Sequence, residues 1–154
     1  MDQFTTPINS ALSLTQQKNM LTYGTDAFLL YAFLRSKSSG KAVELGSGSG
    51  VISLLAASAG KYRHITAVDV QPSQATLTAD NAVANGLGEQ IDSICANVTE
   101  LTVQMIGGEA DAVFSNPPYM TVGNGKANYD SAKYIARHEV LALLAISVQR
   151  QVVC

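Results

Sequence analysis

One short loop carries residue types that together can hold a flat amino group: Asn116, Pro117, Pro118 and Tyr119. It follows an apolar run, residues 111–115, that we predict to be a strand. Each proline fixes the backbone and lacks an N–H group, so the loop presents carbonyl oxygens. We predict that the side-chain oxygen of Asn116 and the backbone carbonyl of Pro117 accept hydrogens from an exocyclic or carboxamide NH₂ group. Tyr119, the third candidate catalytic residue, is predicted to stack on a planar substrate beside Pro118.

A glycine-rich loop, residues 44–50, joins another predicted strand to a predicted helix and reads Glu-Leu-Gly-Ser-Gly-Ser-Gly. Glycines allow a ligand to approach the backbone, and the helix N-terminus adds unpaired N–H donors. Dinucleotide sites have the spacing G-x-G-x-x-G, whereas Gly46, Gly48 and Gly50 are spaced G-x-G-x-G. The carboxylate of Glu44 would repel a pyrophosphate but suits a ligand with an ammonium and a sulfonium group. S-adenosylmethionine carries both groups, and we predict it as the cofactor.

Two further polar residues follow predicted strands at the same edge of the sheet. Asp69 ends the second strand, where an acid can accept both hydroxyls of a ribose. Asn97 lies just past the third strand, where it can meet the edge of an adenine. Each residue has a simpler interpretation, because an Asp at a strand end often caps the next turn and an Asn is common in turns. Together with the glycine loop, they favour a cofactor that contains adenosine.

The order of elements predicts an α/β fold in which helices cover both faces of a parallel sheet. We divide the chain into an irregular N-terminal segment, residues 1–24, and a cofactor-binding domain, residues 25–154. Thr25 is the predicted N-cap of a first helix that ends at Ser38-Ser39-Gly40. Strands at 42–45 and 111–115 are predicted to be neighbours, so the loop with Asn116 faces the glycine loop. The other predicted elements are helices at 51–59, 72–84 and from about Asp130, and strands at 64–70 and 91–95.

Composition excludes several other classes of protein. The chain has 154 residues, 47% of them hydrophobic, and a formal net charge of −2, which excludes intrinsic disorder. Two cysteines exclude a disulfide scaffold, and two histidines and two cysteines, widely spaced, predict no metal site. We find neither a signal peptide nor an apolar run of the ~20 residues that a membrane span needs. We therefore expect a cytoplasmic protein.

The glycine loop, Asp69 and the Ser-Asn-Pro-Pro-Tyr sequence in this order resemble the Rossmann-like class I methyltransferases that modify planar NH₂ groups. Residues 23–30 resemble the segment that covers the cofactor in that family, which implies that the backbone near Thr25 and Asp26 contacts the cofactor. Residues 80–87 resemble the end of the helix after the second strand in that family, and the tetrapeptide Ala-Arg-His-Glu at 136–139 resembles one found in bacterial tRNA adenine-N6 methyltransferases. The resemblance implies an adenine just 3′ of the anticodon as the methylated base.

Three basic residues beyond the loop, Lys126, Lys133 and Arg137, are candidates for binding tRNA phosphates, although such residues often form only a solvated helix face. Two other functions remain open. One is a protein-glutamine N5-methyltransferase, because the same loop suits a carboxamide. The other is an inactive module that binds the cofactor or RNA, because residues 146–154 match none of the strands that complete the class I fold. We expect a C-terminally truncated member with four strands, which could self-associate through the exposed sheet edge.

Overall fold

The described elements alternate between strands and helices, as the sequence predicts. The structure is a computed structural model, and it describes residues 2–18, 20 and 22–116. In chain order its elements are β1 (Gln3–Pro7), β2 (Ser13–Gln17), α1 (Thr25–Phe33), β3 (Lys37–Leu45), α2 (Val51–Ser58), β4 (Tyr62–Asp69), α3 (Pro72–Ala84), β5 (Ile91–Cys95), a 3₁₀ turn (Val98–Glu100) and β6 (Ala112–Ser115). The predicted strands at 42–45 and 91–95 are confirmed within β3 and β5, and those at 64–70 and 111–115 agree with β4 and β6 to within two residues at each end.

A parallel sheet positions the candidate site. Its strand order is β5-β4-β3-β6, and all three pairings are parallel. Leu45 at the end of β3 pairs with Ser115 at the end of β6, which confirms that these strands are neighbours. The segments that follow them, the glycine loop and Asn116, therefore begin side by side at the carboxyl edge of the sheet.

The helices α2 and α3 have nearly the bounds that glycine and proline predict. Residues 51–57 of α2 are all buried, because this helix is apolar or small on every side and packs between the sheet and α1. Gly60 ends it in a left-handed conformation with φ of 63°. Pro72 occupies the first turn of α3, where a missing N–H group costs no hydrogen bond.

The N-terminal segment is not irregular, and that prediction is wrong. Strands β1 and β2 form an antiparallel hairpin, and Leu14 of β2 is fully buried in the core. Asn9 closes the turn, since its side chain accepts hydrogen bonds from the backbone N–H groups of Ala11 and Leu12 at 2.8 and 2.9 Å. The prediction depended on the polar residues of this segment and on Pro7, which argues against an early helix.

The first helix is shorter than predicted, and β3 is longer. Thr25 is the first residue of α1 rather than its N-cap, which is Gly24 and provides no side-chain hydrogen bond. Ser38-Ser39-Gly40 belongs to β3 instead of ending the helix. The carboxylate of Asp111 explains this extension, because it accepts hydrogen bonds from the Lys37 ammonium group and, at 2.8 Å, from the backbone N–H of Lys41.

Within the described residues, β6 pairs only with β3, and Val113 of β6 is 57% exposed. Self-association through this edge stays a prediction. The predicted helix from about Asp130 lies outside the described residues.

Candidate functional site

The glycine loop is tied to the neighbouring strand β4 through its backbone. The N–H groups of Gly46 and Ser47 both donate to the carbonyl of Val68, at 2.8 and 3.1 Å. Gly46, Gly48 and Gly50 have φ values of 70°, 56° and 81°, in the left-handed region that favours glycine. All three positions therefore have a backbone conformation that residues with side chains rarely adopt.

The inner side of this loop fits a polar ligand that approaches the backbone closely. A Cβ atom placed on Gly46 or Gly48 would meet no heavy atom within 4 Å, so the space beside both residues is open. The hydroxyl of Ser47 is buried and has no hydrogen-bond partner among the described residues. Because a buried hydroxyl without a partner is unfavourable, a ligand that hydrogen-bonds Ser47 would be favoured here.

Glu44 lies beneath the N-terminus of α2 and is only 2% exposed. Its carboxyl group accepts a hydrogen bond from the backbone N–H of Ser53 at 3.0 Å and another from the Ser53 hydroxyl. Burial raises the pKa of Glu44 to about 8, the bonds from Ser53 oppose this rise, and the charge of Asp69 adds a little to it. Glu44 therefore caps the helix that follows the loop, and its predicted contact with the cofactor remains a prediction.

The buried Glu44 is expected to make the stability of the ligand-free protein depend on pH. Above pH 4.5 the unfolded chain releases a proton that the folded chain keeps until about pH 8. The free energy of unfolding should therefore fall by about 1.4 kcal/mol for each pH unit between pH 5.5 and 7, and more gradually up to pH 8. Urea denaturation at several pH values measures this slope.

Glu44→Gln is the matched control for this experiment, because glutamine keeps a carbonyl acceptor for Ser53 and cannot ionise. We expect the variant to lose the part of the slope that Glu44 causes. The pKa of Asp69 is also raised, so Asp69 too lowers the free energy of unfolding as pH rises, and it does so in both proteins. Equal slopes in the two proteins would show that Glu44 does not cause the pH dependence of stability.

Asp69 links the glycine loop to the start of α3. Its two carboxylate oxygens accept hydrogen bonds from the backbone N–H groups of Gly48, at 2.8 Å, and Gln71, at 2.9 Å. Burial raises the pKa of Asp69, and these two bonds oppose the rise. Asp69 thus closes the next turn, as in the simpler interpretation, and also fixes the loop. Its contact with a ribose stays a prediction.

Asn97 also has a local role in the structure. It caps the 3₁₀ turn, since its side-chain oxygen accepts hydrogen bonds from the backbone N–H of Thr99 at 2.9 Å and from the Thr99 hydroxyl at 2.8 Å. These bonds use the oxygen of the amide. A contact with adenine remains a prediction.

Asn116, the candidate catalytic residue that the structure describes, lies at the end of β6 and contacts the start of α1. Its side-chain Nδ2 donates a hydrogen bond of 2.6 Å to Oδ2 of Asp26. The structure thus brings together two predicted site residues that are 90 positions apart. The other predicted residues of this region lie outside the described residues: Pro117, Pro118, Tyr119, Lys126, Lys133 and Arg137.

Two residues of α3 support the loop and were missed by the sequence analysis. The Thr78 hydroxyl donates to the carbonyl of Gly48 at 2.8 Å, and Asn81 Nδ2 donates to that of Ser49 at 2.9 Å. Asn81 also exchanges two hydrogen bonds of 2.9 Å with the backbone of Thr15 in β2, so it connects the hairpin to the loop. A signal was present, because Gln74, Thr78 and Asn81 form a polar stripe with helical spacing, and all three are buried.

A separate cleft of about 660 Å³ lies toward the amino ends of the strands, and it contains Lys41, Arg63 and His64 beside Glu89 and Asp92. None of the predicted site residues lines it.

No three His, Cys, Asp or Glu side chains among residues 2–18, 20 and 22–116 are grouped to bind a metal ion. In the same part of the chain, no helix has the length and apolar character to cross a membrane.

Comparisons with known proteins agree with this geometry. Residues 18–141 match the methyltransferase small domain family. The tRNA1(Val) (adenine(37)-N6)-methyltransferase of Flavobacteriaceae bacterium (strain 3519-10) is 30% identical over 107 residues, which cover 70% of this chain and 45% of that protein. The protein of the same name from Aeromonas hydrophila is 32% identical over 117 residues, which cover 75% and 47%.

A similar fold is seen in the crystal structure of Pyrococcus horikoshii TYW2 in complex with MeSAdo. It has a TM-score of 0.57 at 14% identity and covers 69% of this chain and 39% of that one. The chain spans about half the length of the curated relatives that it matches. Because the family match extends over residues 18–141, the expected Rossmann-like fold and the methyl donor S-adenosylmethionine agree with the family, and the chain belongs to the methyltransferase small domain family.

Proposed function

We propose that this chain is an S-adenosylmethionine-dependent N-methyltransferase that acts on the N6 amino group of an adenine in a tRNA anticodon loop. The observation that carries the proposal is the position of Asn116. Asn116 directly follows β6, and β6 pairs with β3, whose end leads into the glycine loop. The amide side chain and the glycine loop therefore lie at the same edge of the sheet. This arrangement suits the transfer of a group from a cofactor to an amine.

The residues of the chain would contribute mainly binding and orientation. The backbone of Gly46 and Gly48 and the hydroxyl of Ser47 would hold the cofactor, and Asp69 keeps the loop in place. When bound, S-adenosylmethionine supplies a methyl group on a cationic sulfur and leaves as a thioether. Asn116 Oδ1 and the carbonyl of Pro117 would accept the two amino hydrogens, so that the nitrogen lone pair is less delocalised into the ring. Orientation then provides much of the rate, and the extra proton of the product leaves to water.

A tRNA substrate is supported by the names of the similar curated proteins and by the Ala-Arg-His-Glu tetrapeptide. An unpaired adenine in an anticodon loop also costs little energy to flip into a site, unlike a base in a duplex. Lys126, Lys133 and Arg137 are our candidates for contacts with the tRNA phosphates, and such binding should weaken as salt rises. A tRNA substrate implies a cytoplasmic location.

The test uses the full chain with S-adenosylmethionine labelled in its methyl group. The acceptors are an unmodified tRNA(Val) transcript, the same transcript with inosine replacing the adenine 3′ of the anticodon, and a peptide-release factor. We expect label in N6-methyladenosine from the first transcript after nucleoside digestion, and none from the second, because inosine lacks the amino group.

Label in a glutamine side chain of the release factor would instead support the protein-glutamine N5-methyltransferase. Absence of label from all acceptors, at protein concentrations that bind the cofactor, would overturn the proposed activity and favour a binding module.

A further inference from the structure

Asp26 lies at the start of α1, and its carboxylate is held between Asn116 and Gly24. Its Oδ2 accepts the 2.6 Å hydrogen bond from Asn116 Nδ2. Its Oδ1 lies against Gly24, where a Cβ atom would be only 2.5 Å from this oxygen. The absence of a side chain at Gly24 therefore leaves the space that this carboxylate occupies.

This contact determines which end of the Asn116 amide faces Asp26. A carboxylate can only accept hydrogen bonds from the amide, so the NH₂ end must point toward Asp26 and Oδ1 must point in another direction. Without the acid, this contact would no longer distinguish the observed amide from one rotated by 180°, since the two ends of the amide are nearly equal in size. The rotated amide would present N–H donors to a substrate amine, which is itself a donor.

We propose that Asp26 is a positioning residue for methyl transfer, which orients Asn116 so that Oδ1 can accept a hydrogen from the substrate amine. This inference rests on the proposed function. The negative charge of the carboxylate also polarises the amide so that Oδ1 becomes a stronger acceptor. The same charge stabilises the positive charge that the substrate amine gains during methyl transfer. The family resemblance implies a backbone contact between this segment and the cofactor, whereas the proposal gives the Asp26 side chain a separate task.

Three variants test the proposal through kinetics at saturating cofactor. Asp26→Ala should lower kcat about 10- to 100-fold and leave the Kd of S-adenosylhomocysteine within about twofold, because the amide loses its orientation while the cofactor loop is unchanged. Asp26→Asn should recover only part of the activity, since its side-chain oxygen can still accept from Asn116 Nδ2 but its own NH₂ end can equally pair with the rotated amide.

Gly24→Ala tests the same contact without removing the acid. Gly24 has φ of −117° and ψ of −172°, an extended conformation that alanine adopts without strain, so the fold should be kept, with only a small loss of stability because alanine is a poorer N-cap than glycine. The added methyl group must push Oδ1 of Asp26 from its place, which should lengthen or break the bond between Oδ2 and Asn116, and kcat should fall. The double variant with Asp26→Ala should be no slower than Asp26→Ala alone, because both changes remove one contact.

A second measurement is independent of activity. In a ¹⁵N-labelled protein, the side-chain NH₂ signals of Asn116, identified by their loss in Asn116→Ala, should shift in Asp26→Ala and in Gly24→Ala. Unchanged signals would overturn the proposal, and so would weaker cofactor binding with an unchanged kcat, which would make Asp26 a cofactor contact. A parent protein that methylates no acceptor would overturn the proposed function, whereas an active parent with an equally active Asp26→Ala would overturn only the positioning role.

Discussion

Asn116→Ala is expected to lower the rate of methyl transfer at least about 100-fold, because it removes the side-chain oxygen that accepts a hydrogen of the substrate amine. Alanine also leaves the amine free to rotate away from the transferable methyl group. The cofactor loop is formed by other residues, so the Kd of S-adenosylhomocysteine should change by less than about twofold. Single-turnover rates with labelled cofactor and isothermal titration measure the two quantities.

Asn116→Asp distinguishes the loss of an acceptor from the loss of the amide's orientation. The aspartate keeps two acceptor oxygens, but one of them would face the carboxylate of Asp26 in place of the Nδ2 donor. Repulsion between the two acids should turn the new side chain away, and activity should remain low. Glu89→Gln, in the cleft away from the site, is the surface control and should be fully active. An Asn116→Ala protein with more than about half of the parent rate would contradict the role of this residue.

Elements marked by glycine and proline were predicted well from the sequence. Gly60 and Pro72 fix the end of α2 and the start of α3 because each residue has a backbone preference that local sequence reveals. The β1–β2 hairpin depends instead on distant partners. Its strand β2 is held by Asn81 and by Asn85, which exchanges hydrogen bonds of 2.9 and 2.8 Å with the backbone of Ser13. No pattern within residues 1–24 reports these contacts.

The candidate site shows the same division between local and distant causes. The place of the glycine loop between β3 and α2 was predicted because a run of glycines after an apolar strand is a local signal. The contact between Asp26 and Asn116 could not be predicted, since it joins the start of α1 to the residue after β6, 90 positions away in the sequence. The second role of Asp69 was also missed, because its bond to Gly48 depends on how β3 and β4 pair.

Gly50→Ala is expected to destabilise the protein by about 3 kcal/mol and to weaken cofactor binding. Two effects add up in this estimate. Gly50 has φ of 81°, which a side chain opposes, and its new Cβ atom would be 2.8 Å from Cγ2 of Thr78. Moving Thr78 would disturb its hydrogen bond to the carbonyl of Gly48 and so shift the loop that fits the cofactor. Urea denaturation and titration with S-adenosylhomocysteine measure the two losses.

Gly60→Ala and Thr78→Ser separate the two effects. Gly60 has φ of 63° but open space around its Cβ position, so the alanine variant should lose only about 1 kcal/mol and bind the cofactor normally. Thr78→Ser removes the methyl group in the clash and keeps the hydroxyl donor, and it should restore part of the stability and affinity of Gly50→Ala. If Gly50→Ala and Gly60→Ala lost equal stability, the close packing of α3 against the loop would be contradicted. Because Thr78 and Asn81 both bind carbonyls of this loop, that packing is what ties the cofactor site to the rest of the fold.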